Sequence, residues 1–126
     1  MRSAAFKRAV ADLPQELRPD GLMARSAVRT DGALVTFLWL APGFDAGPPH
    51  CHPFDQLAFV LGGLLEFEID GRSFVVESGE MLYIPAGHPH TARVIGDDHV
   101  LNVDLFAPAR EDYAHLTEWQ GDDGAA

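Results

Sequence analysis

The sequence predicts an all-β domain, an antiparallel sandwich or barrel. Three observations carry that prediction. Between residues 24 and 106 the apolar residues fall in short runs, several of them alternating with polar ones in the period of two that a half-buried strand requires. Tight-turn signals punctuate the runs, namely Asp31-Gly32, Gly62-Gly63 and Asp70-Gly71. No helical period interrupts them, which excludes folds that interleave strands with helices. At 126 residues the chain is expected to form one domain, spanning 1–126, that buries a core without disulfide support.

The elements follow in order. Ala5, Phe6, Ala9, Val10 and Leu13 recur at helical spacing before Pro14, so a short amphipathic helix is expected over 2–13. Residues 14–21 read as a connector. Strands are expected at 24–30 and 33–40 on either side of Asp31-Gly32. The second of these is apolar on both faces, as a strand covered on both sides should be. Residues 41–54 hold Pro42, Gly43, Gly47, Pro48, Pro49 and Pro53 and read as a long, stiffened loop.

Further strands are expected at 55–61, 64–69, 72–76, 81–84, 90–95 and 99–106. In the run 64–69, Leu65, Phe67 and Ile69 alternate with Glu66 and Glu68, which places the acids in water. In the run 90–95 the same parity sets His90 with Ala92 and Val94, on the inward side. Tyr113, Leu116 and Trp119 suggest a short C-terminal helix over 111–119. The chain is therefore read as a barrel over about 24–106 with short helices at its two ends.

Composition narrows the partners. Nineteen acidic against nine basic residues leave a net charge of −10, a surface that repels phosphate backbones and anionic lipid. Nucleic acid and membrane are thus excluded as expected partners, and a small molecule is the expected ligand. The single cysteine, Cys51, forbids an intrachain disulfide. No run is long enough for a membrane helix, and Lys7, Arg8 and Asp12 interrupt any apolar leader, so a cytoplasmic location is expected.

The chemistry concentrates in Pro48-Pro49-His50-Cys51-His52-Pro53-Phe54-Asp55-Gln56. In extended backbone, residues two apart face the same way, so His50 and His52 can aim at one point, and Gln56 joins them by another even step. His90 follows the loop Pro85-Ala86-Gly87-His88-Pro89. Three neutral imidazoles and an amide oxygen suit one divalent transition metal per chain, the other reading of Gln56 being an amide that orients a ligand histidine. Such mixed N/O ligation with open positions favours Fe, Mn, Ni or Co ahead of tetrahedral zinc. His88 and Tyr83 are the candidates for a proton acceptor near this site, with a solvated loop histidine as the plainer reading of His88. Parity turns Cys51 away from the two histidines, and a small buried hydrophobe is its expected role.

These residues resemble the cupin superfamily. The first cupin motif is met by Gly43, His50, His52, Gln56 and Gly63, with one extra residue before the histidines and glutamine at the acid position. The second is met by Gly79, Pro85, Gly87 and His90 without gaps, with Val94 where the family has asparagine. The resemblance implies a jelly-roll β-barrel holding a metal on His50, His52, Gln56 and His90, and a homodimer. A neutral glutamine in place of glutamate leaves the site more positive, making the ion a stronger Lewis acid that is held less tightly. Small bacterial cupins with three histidines and a glutamine include manganese-dependent hydroxynitrile lyases, and three-histidine cupins include iron dioxygenases. The resemblance thus implies a metal-dependent enzyme of dioxygenase or C–C lyase type acting on a small organic molecule. The alternative is a non-catalytic barrel that senses or stores a metal or small ligand.

Overall fold

The computed structural model describes residues 4–123. Its nine strands are β1 (Glu16–Leu17), β2 (Met23–Arg29), β3 (Leu34–Leu40), β4 (Asp55–Leu61) and β5 (Leu64–Ile69), then β6 (Arg72–Glu77), β7 (Met81–Ile84), β8 (His90–Ile95) and β9 (Val100–Ala107). They make a six-stranded sheet in the order β1-β2-β3-β9-β4-β7 and a three-stranded sheet in the order β6-β5-β8. Every pairing is antiparallel. The two sheets form a jelly roll, and Leu40, Val60 and Val100 of the larger sheet share one core with Leu65, Phe67 and Val76 of the smaller. The strands expected at 55–61, 64–69, 81–84 and 90–95 have those bounds. The two-residue β1 lies in the stretch expected to be a mere connector.

Register separates the two faces of the larger sheet. On its inner face, Thr36, Asp104 and Ala58 stand in one row across β3, β9 and β4, beside the rows Leu38–Asn102–Val60 and Leu34–Phe106–Gln56. On its outer face the rows are Val35–Leu105–Leu57–Tyr83, Phe37–Val103–Phe59–Met81 and Trp39–Leu101–Leu61. That outer face carries no charge in these rows, and its β4–β7 side is open to solvent: Phe59, Leu61, Met81 and Tyr83 are 39 to 52% exposed.

Tight turns fix the connections. Gly63, at φ +68°, lies so close to β9 that a Cβ there would meet Val100 Cγ2 at 2.8 Å, so the turn between β4 and β5 needs glycine.

The two ends of the chain differ from expectation. The helix expected over 2–13 reduces to one 3-10 turn at Val10–Asp12, flanked by extended Ala9 and Leu13, with residues 1–3 outside the described residues. Leu13 is buried, whereas Phe6 and Val10 are exposed. Only Leu13 of the apolar stripe is buried, and so short a helix is marginal without packing along its whole face. Phe6 instead meets Trp119 edge-on at 5.8 Å. The C-terminal helix is present as a 3-10 helix at Glu111–Thr117, followed by a single α-turn at Gln120–Asp123.

That segment closes a sheet edge. β1 pairs only with Ala24 and Arg25 of β2. Farther along β2, Trp119 Nε1 donates to the Ala27 carbonyl at 3.1 Å, while the Gln120 amide accepts from Arg29 N at 2.6 Å and donates to Arg29 O at 3.0 Å. Side chains thereby satisfy backbone groups that a neighbouring strand would otherwise fill.

Candidate metal centre

The proline-stiffened loop ahead of β4 brings His50 and His52 to the start of that strand, and Gln56 follows one residue inside it. His90 opens β8 on the other sheet. An isolated bridge ties the two together: His50 N–H donates to His90 O at 3.0 Å and His90 N–H to His50 O at 2.9 Å. The ligand atoms of His50, His52 and His90 all lie within 4.8 Å of one another, so the cluster could hold a metal ion. His52 and His90 are buried, while His50 sits at the exposed rim.

Hydrogen bonds set the imidazoles for ligation. His52 Nδ1 faces the Phe54 carbonyl at 3.1 Å and His90 Nδ1 the His88 carbonyl at 2.9 Å. A carbonyl only accepts, so both rings carry their proton on Nδ1 and leave Nε2 with a lone pair. Desolvation holds all three imidazoles below the ordinary histidine value, opposed in His52 and His90 by those carbonyls. The rings are therefore neutral near pH 7, as ligands must be. Phe54 stacks on His52 at 4.3 Å, and Phe106 meets it edge-on at 5.7 Å, fixing the ring plane.

The donor set fits a cation. His52 Nε2 lies 3.2 Å from Gln56 Oε1. With the His52 proton on Nδ1, these are two lone-pair atoms that repel each other. A shared ion removes the conflict, since two ligands at right angles, each about 2.1 Å from a metal, sit about 3 Å apart. The Gln56 amide lies beside the Asp104 carboxyl group and helps to hold its pKa down.

Asp104 is the group that sequence reasoning missed. It is 4% exposed, points from β9 into the barrel, and its Oδ1 has no hydrogen-bond partner among the described residues. Desolvation pushes its carboxyl up to about 6, opposed by the amides of Gln56 and Asn102 and by Arg110. Asn102 Nδ2 donates to Asp104 Oδ2 at 3.0 Å, and buried Thr36 Oγ1 also lacks a partner. These polar atoms line a cavity of about 140 Å³ that His50, Gln56 and His90 share with Arg25 and Arg110.

Both guanidiniums are anchored from outside. Arg110 pairs with Asp112 at 2.7 Å and lies over the rings of Tyr113, Phe106 and Phe54 at 3.6, 4.6 and 4.8 Å. Arg25 pairs with Glu16 at 2.7 Å and lies 4.8 Å from the Tyr113 ring.

Two of the sequence-predicted residues stand apart from the cavity. His88 turns its ring outward to Asp70, with Nδ1 2.6 Å from Oδ2. Tyr83 lies on the outer sheet face, where its hydroxyl donates to Asp55 Oδ1 at 3.3 Å and its pKa is raised by desolvation and by Asp55. Neither lines the cavity. Cys51, expected to be buried, is exposed. Parity does turn it away from His50 and His52, but solvent and not core lies on that side of the loop. Asp55 fastens the loop before β8, its Oδ1 also accepting the Ala86 N–H at 3.0 Å.

A jelly roll with three convergent imidazoles between its sheets defines a class of small β-barrel proteins equipped to hold a divalent ion. The chain belongs to the cupin-domain family, whose profile matches residues 37–106. Among curated proteins it is 27% identical to the pectin degradation protein KdgF of Dickeya dadantii over 103 residues, covering 81% of this chain and 92% of that one. It is 38% identical to quercetin 2,3-dioxygenase of Bacillus subtilis over 68 residues, 52% of this chain and 20% of the dioxygenase. Among solved structures, KdgF from Halomonas sp. superimposes with a TM-score of 0.75 at 22% identity, covering 86% of this chain and 98% of that one, a likeness of fold.

Proposed function

We propose that this chain is a metal-dependent enzyme that converts a small, carboxylate-bearing sugar derivative of the kind pectin breakdown releases. The observation that carries this reading is Asp104, a buried carboxyl group facing the same cavity as the imidazole cluster. In this reading His50, His52, His90 and Gln56 hold one divalent ion of the Fe, Mn, Ni or Co type. When bound, the ion polarises a substrate oxygen as a Lewis acid.

The remaining roles fall to the protein. Pectin is a polymer of sugar acids, and Arg25 and Arg110 set two positive charges at the cavity that attract a carboxylate, each with Nε and Nη2 already held by Glu16 or Asp112. Asp104, raised to about 6, exchanges a proton near neutral pH and serves as general acid or base. Asn102 aims its carboxyl, and the apolar wall of Leu40, Phe44, Leu65 and Phe67 excludes water. Proton exchange of this kind suits lyase or isomerase chemistry. The match to quercetin 2,3-dioxygenase favours a second reading, oxygen-dependent ring cleavage, in which Asp104 is the substrate's base. The uncharged outer rows of the larger sheet support a homodimer.

Metal-reconstituted protein, incubated with the sugar acids released by lyase digestion of pectin and followed by proton NMR, tests the proposal. Conversion by the wild type is expected, with Asp104→Asn slower by about 100-fold or more. No conversion, with oxygen uptake on a flavonol instead, would transfer the protein to the second reading.

A further inference from the structure

The loop that delivers His90 is held residue by residue. The Asp55 carboxylate accepts the Ala86 N–H at 3.0 Å, and the His52 carbonyl accepts the Gly87 N–H at 2.8 Å. The next two positions are held by one residue of another strand pair. Asp70, in the turn between β5 and β6, takes the His88 ring on its carboxylate at 2.6 Å and donates its backbone N–H to Pro89 O at 3.0 Å. Asp70 adopts φ +53°, the only positive φ on a non-glycine residue among the described residues, and Gly71 follows at +79°. That two-residue turn with both φ positive takes Asn, Asp or Gly at its first position, as the Asp70-Gly71 signal in the sequence implies.

The chain of contacts continues to the metal centre. The backbone carbonyl of His88 is the acceptor that keeps the His90 proton on Nδ1 and frees Nε2 for a metal. We propose that Asp70 is a positioning residue for His90: by gripping the His88 ring and the Pro89 carbonyl, it sets the His88 carbonyl that fixes the orientation and tautomer of His90. The inference rests on the metal-centre reading for its consequence, and on the hydrogen bonds alone for its geometry. A purely structural role is a poor account of this pair. The side chains of His88 and Asp70 are 46% and 49% exposed, and an exposed pair of this kind adds little to fold stability.

The test compares Asp70→Gly, Asp70→Asn, His88→Ala and the double variant Asp70→Gly/His88→Ala with wild type. Glycine keeps the turn, asparagine keeps the turn and a neutral acceptor, and alanine keeps the carbonyl while removing the ring. Two measurements are made. Long-range proton–nitrogen correlation of the imidazoles in metal-free protein reads the His90 tautomer, and titration with cobalt(II) reads affinity and the visible ligand-field spectrum.

Wild type is expected to show the Nδ1–H form of His90. Asp70→Gly should mix the tautomers, shift the cobalt spectrum and weaken cobalt binding about 10-fold. His88→Ala should do the same, and the double variant should do no more than either. Asp70→Asn should restore most of the wild-type behaviour, with all melting temperatures alike. Wild-type tautomer and cobalt affinity in Asp70→Gly would overturn the proposal. If the wild type itself takes up no cobalt that His52→Ala abolishes, the metal reading fails, and the tautomer comparison still decides whether Asp70 positions His90.

Discussion

Asp104 shows what one residue can reveal about the balance between stability and chemistry. Its native pKa of about 6 lies above the ordinary 3.8, so between those values the native state keeps a proton that the unfolded chain has released. Stability from this group is therefore full below about pH 4 and is lost as pH rises through about 6, a loss of about 3 kcal/mol by linkage. Asparagine has nearly the same shape and no charge to desolvate. In metal-free protein, Asp104→Asn is expected to gain about 1–3 kcal/mol over wild type at pH 7.5 and almost nothing at pH 4. Urea denaturation at the two pH values measures the difference directly, and an equal gain at both would contradict a buried, titrating carboxyl. The carboxylates paired with arginine, such as Glu16 and Asp112, are lowered and titrate in the opposite sense, which is why the variant must be read against wild type.

At the scale of the element, the sequence was legible where one face met water and the other met core. β5, with Glu66 and Glu68 alternating against Leu65, Phe67 and Ile69, was readable for that reason, and so was the inward parity of His90. β9 is the opposite case. Leu101, Val103 and Leu105 make the more apolar side, yet they face outward, while Asn102 and Asp104 face the core. A parity rule that sends the apolar side inward would invert this strand, so Asp104 carried no local signal. His50, His52 and Gln56 were visible because short even spacings set them on one face, and His90 because strand parity turns it inward. Arg110 was hidden because a turn outside the barrel places it. The N-terminal stripe misled because periodicity measures amphipathicity, and nothing in it says whether a partner surface exists. The docking of the C-terminal segment on β2 was equally silent. Gln120→Ala should destabilise the protein by about 1–2 kcal/mol by leaving the part-buried N–H and carbonyl of Arg29 unpaired, as a thermal melt would show. An unchanged melt would mean that water replaces the amide.

The whole molecule joins a net charge of −10 to three uncharged apolar rows on the outer face of the larger sheet, with Asp55 beyond their end. Charge keeps copies apart in general, and this face offers the one broad surface of the larger sheet on which the repulsion is weakest. A stable dimer needs roughly 800 Å² from each partner, and Phe59, Leu61, Met81 and Tyr83 stand at the open side of that face. Sedimentation of the wild type at micromolar concentration is expected to give a dimer. Phe59→Glu combined with Met81→Lys should give a monomer with the same circular dichroism. A wild-type monomer would remove the interface.

The two sheets contribute unequally to the histidine cluster: Gln56 and the loop leading into β4 belong to the larger, and His90 to the smaller. An ion gripped by both sides would turn an open chain into a closed loop of about forty residues between positions 50 and 90. Unlike a covalent crosslink, such an ion leaves when the chain unfolds, so its stabilisation would follow mass action, about 2.7 kcal/mol at 100 times its dissociation constant. A protein with one cysteine can form no such crosslink with sulfur, and coordination would give it a removable one.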